Sequence, residues 1–174
     1  MLVWLAACGS QSKYINPTSD LGNIRTVAVL PFENMVSDKM AAEKVQRIFL
    51  TELLATNVFD VVEPGQVLKF IRNEHLEPGA PNAEELKRAG QLLKADAIFT
   101  GSVIEYEEGR GTGGAPQVTL QMKLIETSRG VTIWSVTRTR GGTTASARLF
   151  GIGGKSATEV VTDIVQEEMR TFGP

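Results

Sequence analysis

The sequence predicts an α+β domain: a mixed sheet of about five strands with helices packed on it, in the order β-α-β-α-α-β-β-β-α. Three observations lead there. Arg25 to Phe32 (RTVAVLPF) is a continuous apolar and β-branched run, the pattern of a buried strand. Ser37 to Thr56 carries apolar residues at helical spacing. From Asp96 to Arg140 the period changes to two, with turn residues between the runs.

The first strand ends at Pro31, and the helix behind it buries Ala41, Val45, Ile48, Phe49 and Leu53 while Lys39, Glu43, Lys44 and Arg47 occupy other faces. Val58 to Glu63 is a second short strand. Pro64 then suits the first turn of a helix through Val67, Phe70 and Ile71, because its missing N–H is one the helix would leave unpaired. Pro78-Gly79-Ala80-Pro81 closes that unit. Asn82, with Glu85 three residues on, forms a capping-box start for a helix to about Lys94, with Leu86, Ala89, Leu92 and Leu93 as its apolar stripe. Asp96 to Glu107, Gln117 to Thr127 and Val131 to Arg140 are the later strands. In the middle one Val118, Leu120, Met122 and Leu124 alternate with Thr119, Gln121 and Lys123. Gly130 in Ser128-Arg129-Gly130 supplies the left-handed position of a short hairpin. A last helix starts at Ser156, capped with Glu159, and runs through Val160, Val161, Ile164, Val165 and Met169.

Composition narrows the function. The 174 residues, 42% of them apolar and 22% charged, suit one globular domain. A net charge of −2 argues against nucleic acid as a partner. The single Cys cannot form an internal disulfide, and the single His, His75, rules out paired-histidine metal sites. No metal or other cofactor is expected. After residue 8, no apolar run approaches the ~20 residues of a membrane-spanning helix.

The chain opens MLVWLAACGS, and Leu5-Ala6-Ala7-Cys8 resembles the lipobox that lipoprotein signal peptidase recognises. The resemblance implies lipid on Cys8, residues 1–8 as a signal remnant, and a membrane as one partner. Several acyl chains, each buried CH₂ contributing ~0.8 kcal/mol, would hold such a protein permanently. Gly9 and Ser10 follow the cysteine, where an Asp would favour the inner membrane, so the resemblance implies the periplasmic face of the outer membrane. Residues 9–23 read as a polar tether and 24–174 as a single domain.

The segments VAVLPFEN, VFDVVEPGQVLKFI, ADAIFTGSVIEYEE and VTLQMKLIETSRGVTIWSVT together resemble the curli-secretion lipoprotein family, CsgG-like, over residues 25 to 140. Relatives with the same kind of domain include the PelC polysaccharide-export component and LpoB-type activators of peptidoglycan synthases. The resemblance implies a non-enzymatic accessory of cell-envelope secretion or assembly that forms homo-oligomers or docks on an envelope protein. The alternative is a monomeric regulator or adaptor of the LpoB kind, against which stands the tether, since ~13 extended residues span only ~45 Å. In the curli channel, segments beside the core strands form transmembrane hairpins. Here Gly109 to Pro116 is too short for two strands of ~10 residues, which argues against a self-sufficient channel.

Gly141 to Lys155 places Leu149, Phe150 and Ile152 in a glycine-rich setting. They are candidate contacts to membrane or to a neighbouring subunit, or a loop tip packed on the last helix. No acidic residue occurs between 127 and 158, so Arg138, Arg140 and Arg148 form a candidate basic surface. No catalytic residue is assigned. Gly109 to Gly114 satisfies GxGxxG but joins strand to strand, and Gly154-Lys155-Ser156 lacks the first glycine of a phosphate-binding loop. Glu84-Glu85, Glu107-Glu108 and Glu167-Glu168 are adjacent pairs whose side chains diverge, so they read as surface charge. Activity dependent on Glu33 or Asp96 would be the sign of an enzyme.

Overall fold

The computed structural model describes residues 10–19, 21–76, 81–109, 115–142 and 154–172. They form four helices on a mixed sheet of seven strands. The strands are β1 (Gln11–Ile15), β2 (Thr26–Val29), β3 (Glu33–Asn34), β4 (Asp60–Val61), β5 (Ala97–Glu107), β6 (Gln117–Glu126) and β7 (Val131–Gly141). The helices are α1 (Ala41–Ala55), α2 (Pro64–Glu74), α3 (Ala83–Leu93) and α4 (Ala157–Met169). The sheet order is β1-β7-β6-β5-β2-β4, with β3 pairing with β5 beyond β2.

The chain's own chemistry explains the two halves of this sheet. β2 is parallel to β4 and β5, and β3 is parallel to β5, since helices return the chain between them. β5, β6 and β7 are joined directly and run antiparallel. At the β6–β7 turn Gly130 sits at φ 65° and donates its N–H to the Glu126 carbonyl at 2.9 Å. Both anticipated capping boxes form, Asn82 with Glu85 before α3 and Ser156 with Glu159 before α4. Pro64 occupies the first turn of α2, and the side chain of Glu63 accepts from Gln66 N. His75, exposed, ends α2 in the left-handed conformation.

α1 and α4 cover one face of the sheet over a core that includes Phe49, Phe99, Met122, Trp134 and Ile164. α2 and α3 cover the other face only near β2, β4 and the start of β5, around Val67, Phe70, Leu86 and Ile98. The strand count exceeds the expected five because of β1 and β3. β3 has two residues and no alternation to detect. β1 lies inside the stretch read as a tether, and that reading is corrected for Gln11–Ile15. All five of its residues are exposed, and Tyr14 and Ile15 stand side by side after three polar residues, so no apolar–polar alternation marks it as a strand. What makes it a strand is antiparallel pairing with β7, from Gln11 opposite Arg138 to Ile15 opposite Trp134.

Candidate functional site

The end of the sheet where β1 begins and β7 finishes gathers most of the charges that the sequence singles out. Arg138 and Arg140 project from β7 onto the C-terminal half of α4, because alternate residues of one strand share a face. Arg138 binds Glu167 at 2.5 Å and lies 3.9 Å from Glu168. Arg140 binds Glu167 and lies 3.8 Å from Asp163, which Lys155 also pairs with. The two β7 arginines are thus met by acidic residues of α4, and Arg138 is only 12% exposed. Arg148, Leu149, Phe150 and Ile152 lie outside the described residues, as does Cys8.

Glu167 titrates below the ordinary carboxylate range. Burial pushes it up, but hydrogen bonding to Arg140 and the charges of Arg140 and Arg138 lower it by more. A carboxyl whose pKa falls on folding contributes stability above its unfolded pKa of about 4.3 and loses it as pH drops through the folded value. Glu167→Gln is therefore expected to lower the urea midpoint at pH 7 and to have progressively less effect as pH falls below about 4. With 40% of the side chain exposed, solvent screening limits the effect to about 1 kcal/mol. Equal penalties at pH 7 and pH 3 would show that charge is not its source.

Its neighbour Glu168 is the residue that sequence reasoning missed. Read as surface charge, it is 1% exposed. The correction has a visible signal: position 168 continues the helical spacing of Val161, Ile164 and Val165, so it faces the sheet. Besides Arg138, its partners come from β1. Gln11 Nε2 donates to Oε1 at 3.0 Å, and Lys13 Nζ lies 3.4 Å from Oε2 while donating to Thr171 Oγ1 at 2.5 Å. Gln11 Oε1 in turn accepts from Arg138 Nη1. A buried carboxylate is costly unless it is compensated; Oε1 takes the Gln11 hydrogen bond, Oε2 accepts none and faces the Lys13 charge alone, and these contacts tie the N-terminal strand to α4.

Apart from this cluster, an open cleft of about 660 Å³ is lined by Lys87, Gly90, Asp96, Glu126, Thr127 and Arg129 among others. Its acids are engaged. Asp96 Oδ2 accepts from the backbone N–H groups of Arg25 and Thr26, both at 2.9 Å. Glu126 binds Arg129 and Ser128 and is held below its ordinary pKa, first by the Arg129 hydrogen bond. Glu33 accepts from Ser102 Oγ at 3.0 Å. Ser102 is six residues along β5 from Asp96, a distance of roughly 20 Å, so Glu33 and Asp96 do not share a site. Among the described residues no group of three His, Cys, Asp or Glu is placed to hold a metal ion, and no helix is long and apolar enough to cross a membrane.

These features define a layered α+β domain: helices flank a mixed sheet, and an N-terminal strand closes one edge of it. The family model described as "Curli production assembly/transport component CsgG" matches residues 19–170, and the chain belongs to this family. Comparison with curated protein sequences gives no significant match. Among solved structures, the PelC dodecamer from Paraburkholderia phytofirmans is similar with a TM-score of 0.65 and 19% identity, over 96% of this chain and 99% of that one. Lipoprotein GNA1162 from Neisseria meningitidis is similar with a TM-score of 0.56 and 16% identity, over 84% and 99%. The LpoB C-terminal domain from Salmonella enterica gives 0.50 and 19%, over 67% and 82%.

Proposed function

We propose that the chain is a lipoprotein anchored through Cys8 on the periplasmic face of the outer membrane. There it serves as a non-enzymatic, homo-oligomeric accessory of envelope secretion or assembly. The observation that carries this reading is the family match across residues 19–170. The fold, shared with PelC and LpoB, fits an accessory role in the envelope. The LAAC sequence ending at Cys8 supports the anchor, and the dodecameric state of the PelC structure supports assembly. The engagement of Asp96, Glu126 and Glu33 in structural hydrogen bonds favours a role in contact over one in chemistry.

The test is mass in solution by light scattering, at several protein concentrations, for the chain from Gly9 onward without lipid. A defined multi-subunit species is expected. A monomer at every concentration would overturn the oligomeric reading and favour the regulator or adaptor alternative.

A further inference from the structure

We propose that the cleft beside the β6–β7 turn is a binding site for the carboxyl end of a peptide. The site is independent of the oligomeric reading above and gives this end of the domain a class of partner.

Three observations lead to it. First, the hydrogen-bonding capacity left in the cleft favours an anion. Glu126 is met by Ser128 and Arg129, and Asp96 Oδ2 by the backbone N–H groups of Arg25 and Thr26. The cations are less committed. Arg129 spends Nε and Nη2 on Glu126 and Ser19, which leaves Nη1 without a partner among the described residues. Lys87, exposed on α3, makes no ion pair among them. One cation from α3 and one from the β6–β7 turn thus border the same space. A carboxylate suits them, since its two oxygens can take a donor from each.

Second, the rest of the lining matches a peptide. Gln91 lies one helical turn beyond Lys87 and borders the cleft with it, and Asn23 borders it from the N-terminal side. Their side-chain amides each offer donors and an acceptor, as pairing with a peptide unit requires. Asp96 Oδ1, which takes no hydrogen bond among the described residues, can accept a peptide N–H. Ile24, Ala95 and Ile133 add apolar lining for small aliphatic side chains. A phosphate dianion fits less well, because Asp96 and Glu126 line the same cleft and repel it more strongly than a single charge.

Third, the cleft is built before any ligand arrives, and it faces the right way. Gly90 brings α3 so near the end of β6 that a Cβ there would lie 2.5 Å from the Thr127 side chain. Thr127 Oγ1 in turn lies 2.8 Å from the Ala95 carbonyl oxygen and 2.9 Å from that of Asp96. Walls fixed in this way spare the ligand an ordering cost. Cross-strand register sets Gln11 level with Val103, through Arg138 and Leu120, and Val103 is roughly 20 Å along β5 from Asp96. With lipid on Cys8, the cleft would open away from the bilayer, where a partner's chain end can reach it.

The test is fluorescence anisotropy with the full chain carrying Cys8→Ser. Three peptides bear a neutral fluorophore at the amino end: Ala-Ala-Ala with a free carboxylate, the same peptide as its amide, and Ala-Asp-Ala amide, whose carboxylate is internal. The free acid is expected to bind saturably at protein concentrations up to about 1 mM. The other two should bind about tenfold more weakly or worse. Lys87→Glu should weaken the free acid by about tenfold or more, and Lys87→Gln by less. Lys39→Glu, exposed just before α1 and outside the cleft, should leave binding unchanged. Equal affinity for acid and amide, indifference to Lys87→Glu, or no saturable binding would overturn the site. An internal acid bound as well as the terminal one would overturn the assignment to a chain end. Light scattering on the same samples reads assembly separately, so an oligomer that binds no peptide sinks this site alone.

Discussion

Phe99→Ala is expected to lower the free energy of unfolding by about 4 kcal/mol, in the range for removing a buried aromatic from a core. Phe99 is fully buried on β5, between β2 and β6, and it links the two halves of the main core. Its ring lies 5.1 Å from Phe49 of α1, 5.8 Å from Phe172 beyond α4, 6.0 Å from Phe59 before β4 and 6.3 Å from Trp134 of β7, all edge-on. Truncation removes the ring that four elements share, and a strand centred in the sheet cannot shift to fill the space. The melting temperature should fall by roughly 8 to 16 °C for a chain of this size. Ile104→Ala on the same strand, where the side chain is 40% exposed, should change stability by no more than about 0.5 kcal/mol. Urea denaturation of both variants checks the contrast. A loss below about 1 kcal/mol for Phe99→Ala would mean that the aromatic cluster is not the keystone of the core.

That cluster shows what kind of information a sequence carries openly. Phe99 and Trp134 stand in runs that read as strands, and Phe49 falls on the apolar stripe of a helix. Asn82, Ser156 and Gly130 act within three or four residues of their own position, so their caps and turn are legible without tertiary knowledge. The tie between β1 and α4 has the opposite character. Gln11 meets Glu168 across 157 positions of sequence, and neither residue type announces burial. An exposed strand without alternation is indistinguishable from a tether until its main-chain partner is known. The same holds for Arg138 and Arg140: a stretch without acidic residues looks like an open basic surface, but the counter-charges come from the next helix. Segment patterns thus carry the family and the fold class, while the charged end of the sheet is set by pairings between residues far apart in the chain.

Cys8→Ser is expected to move the protein from the membrane pellet to the soluble periplasmic fraction, the largest change any single replacement should bring. The reasoning runs through the number of independent anchors. Each buried CH₂ of an acyl chain contributes ~0.8 kcal/mol, so several chains make attachment effectively irreversible, whereas a single chain is marginal. No described helix offers a membrane-spanning alternative. Gln11 is the third residue after Cys8 and is already paired to β7, so the link from lipid to sheet is only ~10 Å when extended. The anchored domain would rest with its Gln11–Arg138 edge at the headgroups. Fractionation followed by a high-salt wash checks the prediction. Continued pelleting of Cys8→Ser that resists the wash would mean that other segments, with Leu149, Phe150 and Ile152 the first to replace, carry membrane contact of their own.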